Sequence, residues 1–263
     1  MSNLLLDKRA DGVAVLTLNR PDMHNAFDDI LIADMTAVLR DLDADSAVRI
    51  VVLSANGESF SAGADLNWMR RMATCSMDEN RSDAMALGTL MRTLNALSKP
   101  TVARVHGPAF GGGVGLVACC DIAIASHDAA FSLSEVKLGL IPAVISPYVI
   151  AAIGERMARR YFLTGERFDA AEAYRIGLVQ ELVVDETSLD EGVDQIVEAL
   201  LAAGPMAIGE AKSLIAAVVN RPLSDTIAAD TAERIARVRA SPEGREGIAA
   251  FLAKRKPAWV RDS

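Results

Sequence analysis

Two stretches of this sequence constrain its fold most. Residues 48–53 and 101–105 are short apolar runs, and each is followed by a cluster of very small residues leading into a helical pattern. The clusters read Ser59-Phe60-Ser61-Ala62-Gly63-Ala64-Asp65-Leu66 and Phe110-Gly111-Gly112-Gly113-Val114-Gly115. A continuous apolar run marks a strand buried on both faces, as in a parallel sheet covered by helices. Small residues at the turn let a ligand approach the backbone closely. The first N–H groups of a helix lack an intrahelical acceptor and carry the positive end of its dipole, so they can point at an oxyanion. Two such turns side by side in one sheet make a two-donor oxyanion hole; alone, each is an ordinary strand-to-helix turn. The triple glycine lacks both the spaced glycines of a dinucleotide fingerprint and the lysine of a phosphate-binding loop.

The alternation runs through the first half of the chain. Residues 13–18 read as a strand ending at the turn signal Asn19-Arg20-Pro21-Asp22. Phe27, Ile30, Leu31, Met35, Val38, Leu39 and Leu42 then recur at helical spacing, which predicts a helix over 26–42. Further helices are expected over 65–72, 81–97 and 114–120, with a strand over 122–125. Strands alternating with helices predict an α/β fold with parallel crossovers. After Pro142 the strand signals fade into helical patterns over 147–153, 156–163, 170–176, 189–203, 205–219, 223–240 and 243–254. The expected division is a core over residues 1–200 and a helical C-terminal region over 201–263, which either folds over the site or mediates oligomerisation.

With 263 residues, 51% of them hydrophobic, the chain can bury a substantial core, and its formal charge of −8 argues against broad attraction to nucleic acid or an anionic membrane surface. Cys75, Cys119 and Cys120 cannot form a paired framework and read as reduced residues. His24, His106 and His127 are scattered, and no Cys/His spacing suggests a metal site. The opening MSNLLLDKRADG has only three consecutive leucines, too few for a signal or spanning segment, so a cytoplasmic protein is expected.

The segments LNRPDMHNAF, FSAGADL, GPAFGGGVGLVACCDIAIA, FSLSEVKLGLIP and AFLAKRKPAW, in that order over nearly the whole chain, resemble the crotonase superfamily of enoyl-CoA hydratases and isomerases. The resemblance implies a spiral of ββα units with a helical C-terminal trimerisation region, assembled as a homotrimer or a dimer of trimers. It implies an acyl-CoA thioester as substrate, coenzyme A being part of that substrate and no separate cofactor being used. Ala64 and Gly112 fall at the two oxyanion-hole positions. His24 and Ala26 match the loop along the pantetheine and phosphates, and Ala62, Asp65 and Leu66 the adenine-side wall. Phe251 and Lys254 resemble an aromatic and lysine pair that reaches the nucleotide, often from a neighbouring subunit; Lys254 also reads as part of a solvated basic stretch.

The sequence departs from this pattern at one place. Hydratases of the family use two glutamates, and here the first position is Gly115 while the second is Glu135. A lone glutamate beside an oxyanion hole can shuttle a proton between C2 and C4 as an isomerase does, or act as both acid and base in hydration. The stretch from SEVKLGLIP to YRIGLV, with AGADLNWMRRMA, resembles the methylglutaconyl-CoA and carboxygeranoyl-CoA hydratases. The leading reading is therefore an enoyl-CoA hydratase that adds water across the 2,3 double bond, with 3-methylglutaconyl-CoA as a candidate substrate. The alternatives are an enoyl-CoA isomerase and a non-catalytic acyl-CoA-binding scaffold. A distal carboxylate calls for a cation, for which Arg70, Arg71 and Lys137 are candidates. His106 reads as a turn histidine, and Trp68, Met69, Met72 and Met77 as a mixture of core and acyl-pocket residues.

Overall fold

The computed structural model describes residues 2–260. In chain order its first half comprises β1 (Leu4–Lys8), β2 (Val13–Leu18), α1 (Asp29–Ala44), β3 (Ile50–Ala55), α2 (Leu66–Met72), α3 (Met77–Asn95), β4 (Thr101–Val105), β5 (Ala109–Phe110) and α4 (Gly112–Cys119). There follow β6 (Ile122–Ser126), β7 (Ala130–Ser132), α5 (Ser146–Thr164), β8 (Arg167–Asp169), α6 (Ala170–Arg175), β9 (Glu181–Val183), α7 (Glu186–Ala202), α8 (Pro205–Val218), α9 (Asp225–Ala240) and α10 (Pro242–Leu252).

Six strands form the main sheet in the order β1-β2-β3-β4-β6-β9, parallel throughout except for the antiparallel pair β1–β2. Every residue of β3 is buried, as its unbroken apolar run predicts. Val51 and Leu53 face a core built with Leu31, Met35, Leu90 and Leu94 of α1 and α3, whereas Ile50 and Val52 face Leu189, Val193 and Val197 of α7. Helices thus cover both faces of the sheet.

A second, narrow layer gives the fold its spiral. The strand order β5-β7-β8 is extended by two isolated parallel bridges, Ser61↔Ala109 and Phe27↔Ala64. After leaving β2, β3 and β4, the chain passes through this layer before entering its next helix. That repeat of sheet strand, second-layer segment and helix is the expected ββα unit.

The differences from the sequence reading have local causes. Asp28 accepts the N–H of Leu31 and caps α1, so the helix begins at Asp29 and leaves Phe27 free to bridge Ala64. The patterns over 147–153 and 156–163 are two arms of α5 that meet at Gly154, whose φ of 74° breaks the helix. Strands do continue beyond Pro142: β8 and β9 are three residues each, too short to show periodicity. At the C-terminus, α8 has no buried residue, and α9 and α10 have one each, Ile227 and Ala250.

Candidate functional site

The two small-residue turns meet. Phe27 N–H donates to Gly63 O (2.6 Å) and Asp65 N–H to Phe27 O (2.8 Å). Alternation along this extended segment turns the intervening Ala64 N–H away from Phe27. Gly112 opens α4, where first-turn N–H groups have no intrahelical acceptor. The contact between the turns tolerates no side chain. A Cβ on Gly63 would stand 2.9 Å from Phe110 O, one on Gly113 2.7 Å from Ser61 O, and one on Gly112 2.6 Å from Phe27 Cε2. Ala64, Gly112 and Glu135 line one cavity of about 490 Å³, together with Phe27, Trp68, Met69, Leu87, Leu138, Ile141 and Ile145. Two lone strand-to-helix turns would not require this packing.

A charged network sets the turn around Ala64. Arg20 Nη2 lies 3.0 Å from Asp28 Oδ2 and 3.2 Å from Asp65 Oδ2, and Arg20 Nη1 donates to Ala26 O (2.6 Å). Asp65 Oδ1 accepts the N–H groups of Asn67 (2.8 Å) and Trp68 (3.1 Å), capping α2. Burial pushes the Asp65 carboxyl up, but these N–H groups and the Arg20 guanidinium outweigh it and hold it below the ordinary aspartate value. Asn25, with φ of 52°, joins three segments: its amide donates to Asn56 O and Ser59 O, both at 2.8 Å, and its carbonyl accepts Arg20 N–H (2.8 Å). An Asn after His24 is a residue that tolerates the left-handed conformation, and that was the available signal for it.

Glu135 sits in a short 3-10 turn, Ser134–Leu138. Its Oε1 is 3.1 Å from where a Cβ on Gly111 would stand. Its Oε2 is buried with no hydrogen-bond partner. Desolvation raises its pKa, against a smaller opposing effect from its own backbone N–H. At the position of the family's other glutamate, a Cβ on Gly115 would meet Ile145 Cγ2 at 2.3 Å. Hydrocarbon fills that place.

The remaining expected residues divide. Ala62 and Leu66 line the cavity. His24 is exposed at the loop, its Nδ1 3.0 Å from Ser59 Oγ, and Ala26 is buried beneath it. Asp65, expected on the adenine side, is 4% exposed and turned inward to Arg20 and α2, so it supports the loop from behind. Phe251 and Lys254 are exposed near the C-terminus and do not line this chain's cavity. Trp68 and Met69 are in the lining, Met72 packs on the core and Met77 is exposed. Arg70 donates to Asn67 Oδ1 (2.8 Å), Arg71 pairs with Asp29, and the stem of Lys137 lies against Gly165; none of the three lines the cavity. His106 Nε2 is 2.7 Å from Gly57 O, a turn contact. The Cys119 thiol is buried and its pKa pushed up, and desolvation pushes that of Cys120 up to about 12, which disfavours both thiolates. Among the described residues no group of three or more His, Cys, Asp or Glu side chains could hold a metal ion.

A spiral of ββα units that presses two glycine-lined turns together beside a buried carboxyl defines an enzyme of crotonase type. The chain belongs to the enoyl-CoA hydratase/isomerase family, whose sequence profile matches residues 8–262. It is similar to the short-chain-enoyl-CoA hydratase of Clostridium acetobutylicum, at 34% identity over 97% of each chain. Its structure superposes on that of an enoyl-CoA hydratase from Shewanella pealeana with a TM-score of 0.95, at 45% identity over 98% of this chain and 96% of the other. It also matches Pseudomonas aeruginosa AtuE, with a TM-score of 0.95 and 36% identity over 99% and 100% of the two chains.

Proposed function

We propose that this protein is an enoyl-CoA hydratase in which Glu135 is both base and acid. The observation that carries the reading is the buried Glu135 Oε2, unpaired in the cavity that the Ala64 and Gly112 turns also line. The thioester carbonyl oxygen sits between the two N–H groups, which stabilise the enolate formed during reaction. Ionised Glu135 takes a proton from water as the oxygen bonds to C3, and the protonated carboxyl then delivers that proton to C2. The product is the 3-hydroxyacyl-CoA, and the carboxylate is regenerated. The names of the similar hydratases from Clostridium acetobutylicum and Shewanella pealeana agree with this chemistry.

Isomerisation is the second reading, favoured by the Gly115–Ile145 contact: with one carboxyl present, a proton can be moved between C2 and C4 without water. The absorbance and mass of product formed from crotonyl-CoA and from a 3-enoyl-CoA separate the two, since hydration adds the mass of water and isomerisation adds nothing. Binding without turnover supports the scaffold reading instead. Glu135→Gln should lower kcat roughly a hundred- to ten-thousandfold with a much smaller change in KM; an unchanged kcat would remove the proposed role.

Within hydration, 3-methylglutaconyl-CoA is the finer candidate, supported by the resemblance of the segment around Glu135. Its distal carboxylate needs a cation, and Arg70, Arg71 and Lys137 all stand off the cavity lining of the single chain. The geometry therefore favours an uncharged acyl group. A higher kcat/KM for crotonyl-CoA than for 3-methylglutaconyl-CoA is expected, and the reverse order would reinstate the carboxylated substrate. The assembly we propose is a homotrimer or a dimer of trimers built through α8–α10, in which Phe251 and Lys254 reach the nucleotide of a neighbour.

A further inference from the structure

Gly111, which caps α4, and Gly115, one turn further in, have different neighbours. Gly115 N–H donates to Gly111 O (3.2 Å), the bond that closes the first turn of the helix. A Cβ on Gly111 would stand 3.1 Å from Glu135 Oε1. A Cβ on Gly115 would stand 2.3 Å from Ile145 Cγ2, 2.9 Å from Ile145 Cβ and 3.2 Å from Met91 Cε. The carboxyl and the isoleucine thus pack at successive glycines of the same helix opening, and both line the cavity.

Ile145 is held firmly. It is 3% exposed, and its carbonyl accepts the N–H groups of Tyr148 and Val149, both at 3.1 Å, at the start of α5. A β-branched side chain has little χ1 freedom, so it cannot swing aside to admit a larger substrate or a side chain on Gly115.

We propose that Ile145 is a specificity-determining residue: seated on the bare Cα of Gly115, it sets the width of the cavity beside Glu135 and selects acyl groups by their bulk near the reacting carbons. The same packing keeps any second polar side chain off that wall. The proposal rests on the reading of this site as an acyl-CoA site, but not on which reaction follows binding.

The test uses the full-length protein with Ile145→Val, Ile145→Ala, Gly115→Ala and the double variant Gly115→Ala/Ile145→Ala. The first readout is kcat/KM for 4-methyl-2-pentenoyl-CoA relative to crotonyl-CoA. The second is calorimetric Kd for 4-methylpentanoyl-CoA relative to butyryl-CoA, which needs no turnover. Ile145→Val should shift both ratios toward the branched acyl group and Ile145→Ala should shift them further, by roughly tenfold or more, the size of one or two methylene contacts in an apolar pocket. Gly115→Ala should lose at least tenfold on both substrates, and the double variant should recover most of that loss. Unchanged ratios in both readouts, or a Gly115→Ala enzyme as active as the wild type, overturn the proposal. A wild-type protein that binds the saturated thioesters but turns over neither crotonyl-CoA nor 4-methyl-2-pentenoyl-CoA sinks the hydratase reading and leaves the Kd ratios to decide this one; absence of binding overturns both.

Discussion

At Glu135 the environment opposes the charge from which the proposed reaction starts. Desolvation makes the ionised carboxylate less favourable, so its pKa lies above the ordinary glutamate value of about 4.3. In the proposed mechanism the ionised form starts hydration, so kcat/KM should rise with pH through a midpoint on the acid limb above that ordinary value, and a pH–rate profile locates it. A midpoint at or below it would remove burial as the tuning cause. Gly112 makes an equally local prediction. A methyl group there would press on Phe27 Cε2 from 2.6 Å and shift either the ring or the opening of α4. If the N–H of residue 112 binds the developing oxyanion, Gly112→Ala should lower kcat by roughly a hundred- to a thousandfold. Steady-state kinetics on crotonyl-CoA reads that loss, and circular dichroism of the variant checks that the fold survives.

At the scale of elements, α2 begins where the Ala64 turn ends, and Asp65 serves both. Asp65→Asn keeps a side-chain oxygen for the cap but removes the charge facing Arg20, while Asp65→Ala removes both. Losing one member of a buried ion pair costs about 3–5 kcal/mol, and Asp28, 3.0 Å from Arg20, offsets part of it. A missing cap adds about 1 kcal/mol. Thermal melts should therefore order the chains wild type, Asp65→Asn, Asp65→Ala, and equal melting of all three would show that the pair does nothing for the fold. The strands and helices that carry the site were legible in the sequence where periodicity ran long enough, as in β2, β4 and α4. The second layer was not: Phe27, Ser61 and Phe110 pair across it through single bridges or two-residue strands, and no pattern of hydrophobicity marks so short a segment. The meeting of the two small-residue turns was readable because glycine and alanine have a backbone reason to cluster there. The ion pair of Asp65 was not legible because its Arg20 partner is 45 residues away in sequence. Ile145 was missed because an isoleucine in an apolar stretch looks like any core residue until Gly115 is seen beneath it.

For the molecule as a whole, α8–α10 and the loop between α8 and α9 present much apolar surface for so few buried residues. Ile215 is 66% exposed, Leu223 96%, Leu252 75% and Phe251 82%. The proposed trimer would cover these side chains, because exposed apolar surface is favourably buried between chains. Light scattering should give the mass of a trimer or hexamer for the wild type, and Ile215→Asp should shift it toward monomer; a monomeric wild type would leave that surface unexplained. The unpaired oxygen of Glu135 has a consequence for the whole fold as well. Folding strips water from a carboxyl and gives Oε2 no hydrogen bond in return, so the working chain is less stable than an inert relative would be. Glu135→Leu should therefore melt at a higher temperature than the wild type while hydrating nothing, and selection for thermal resistance alone would be expected to discard the reacting group first.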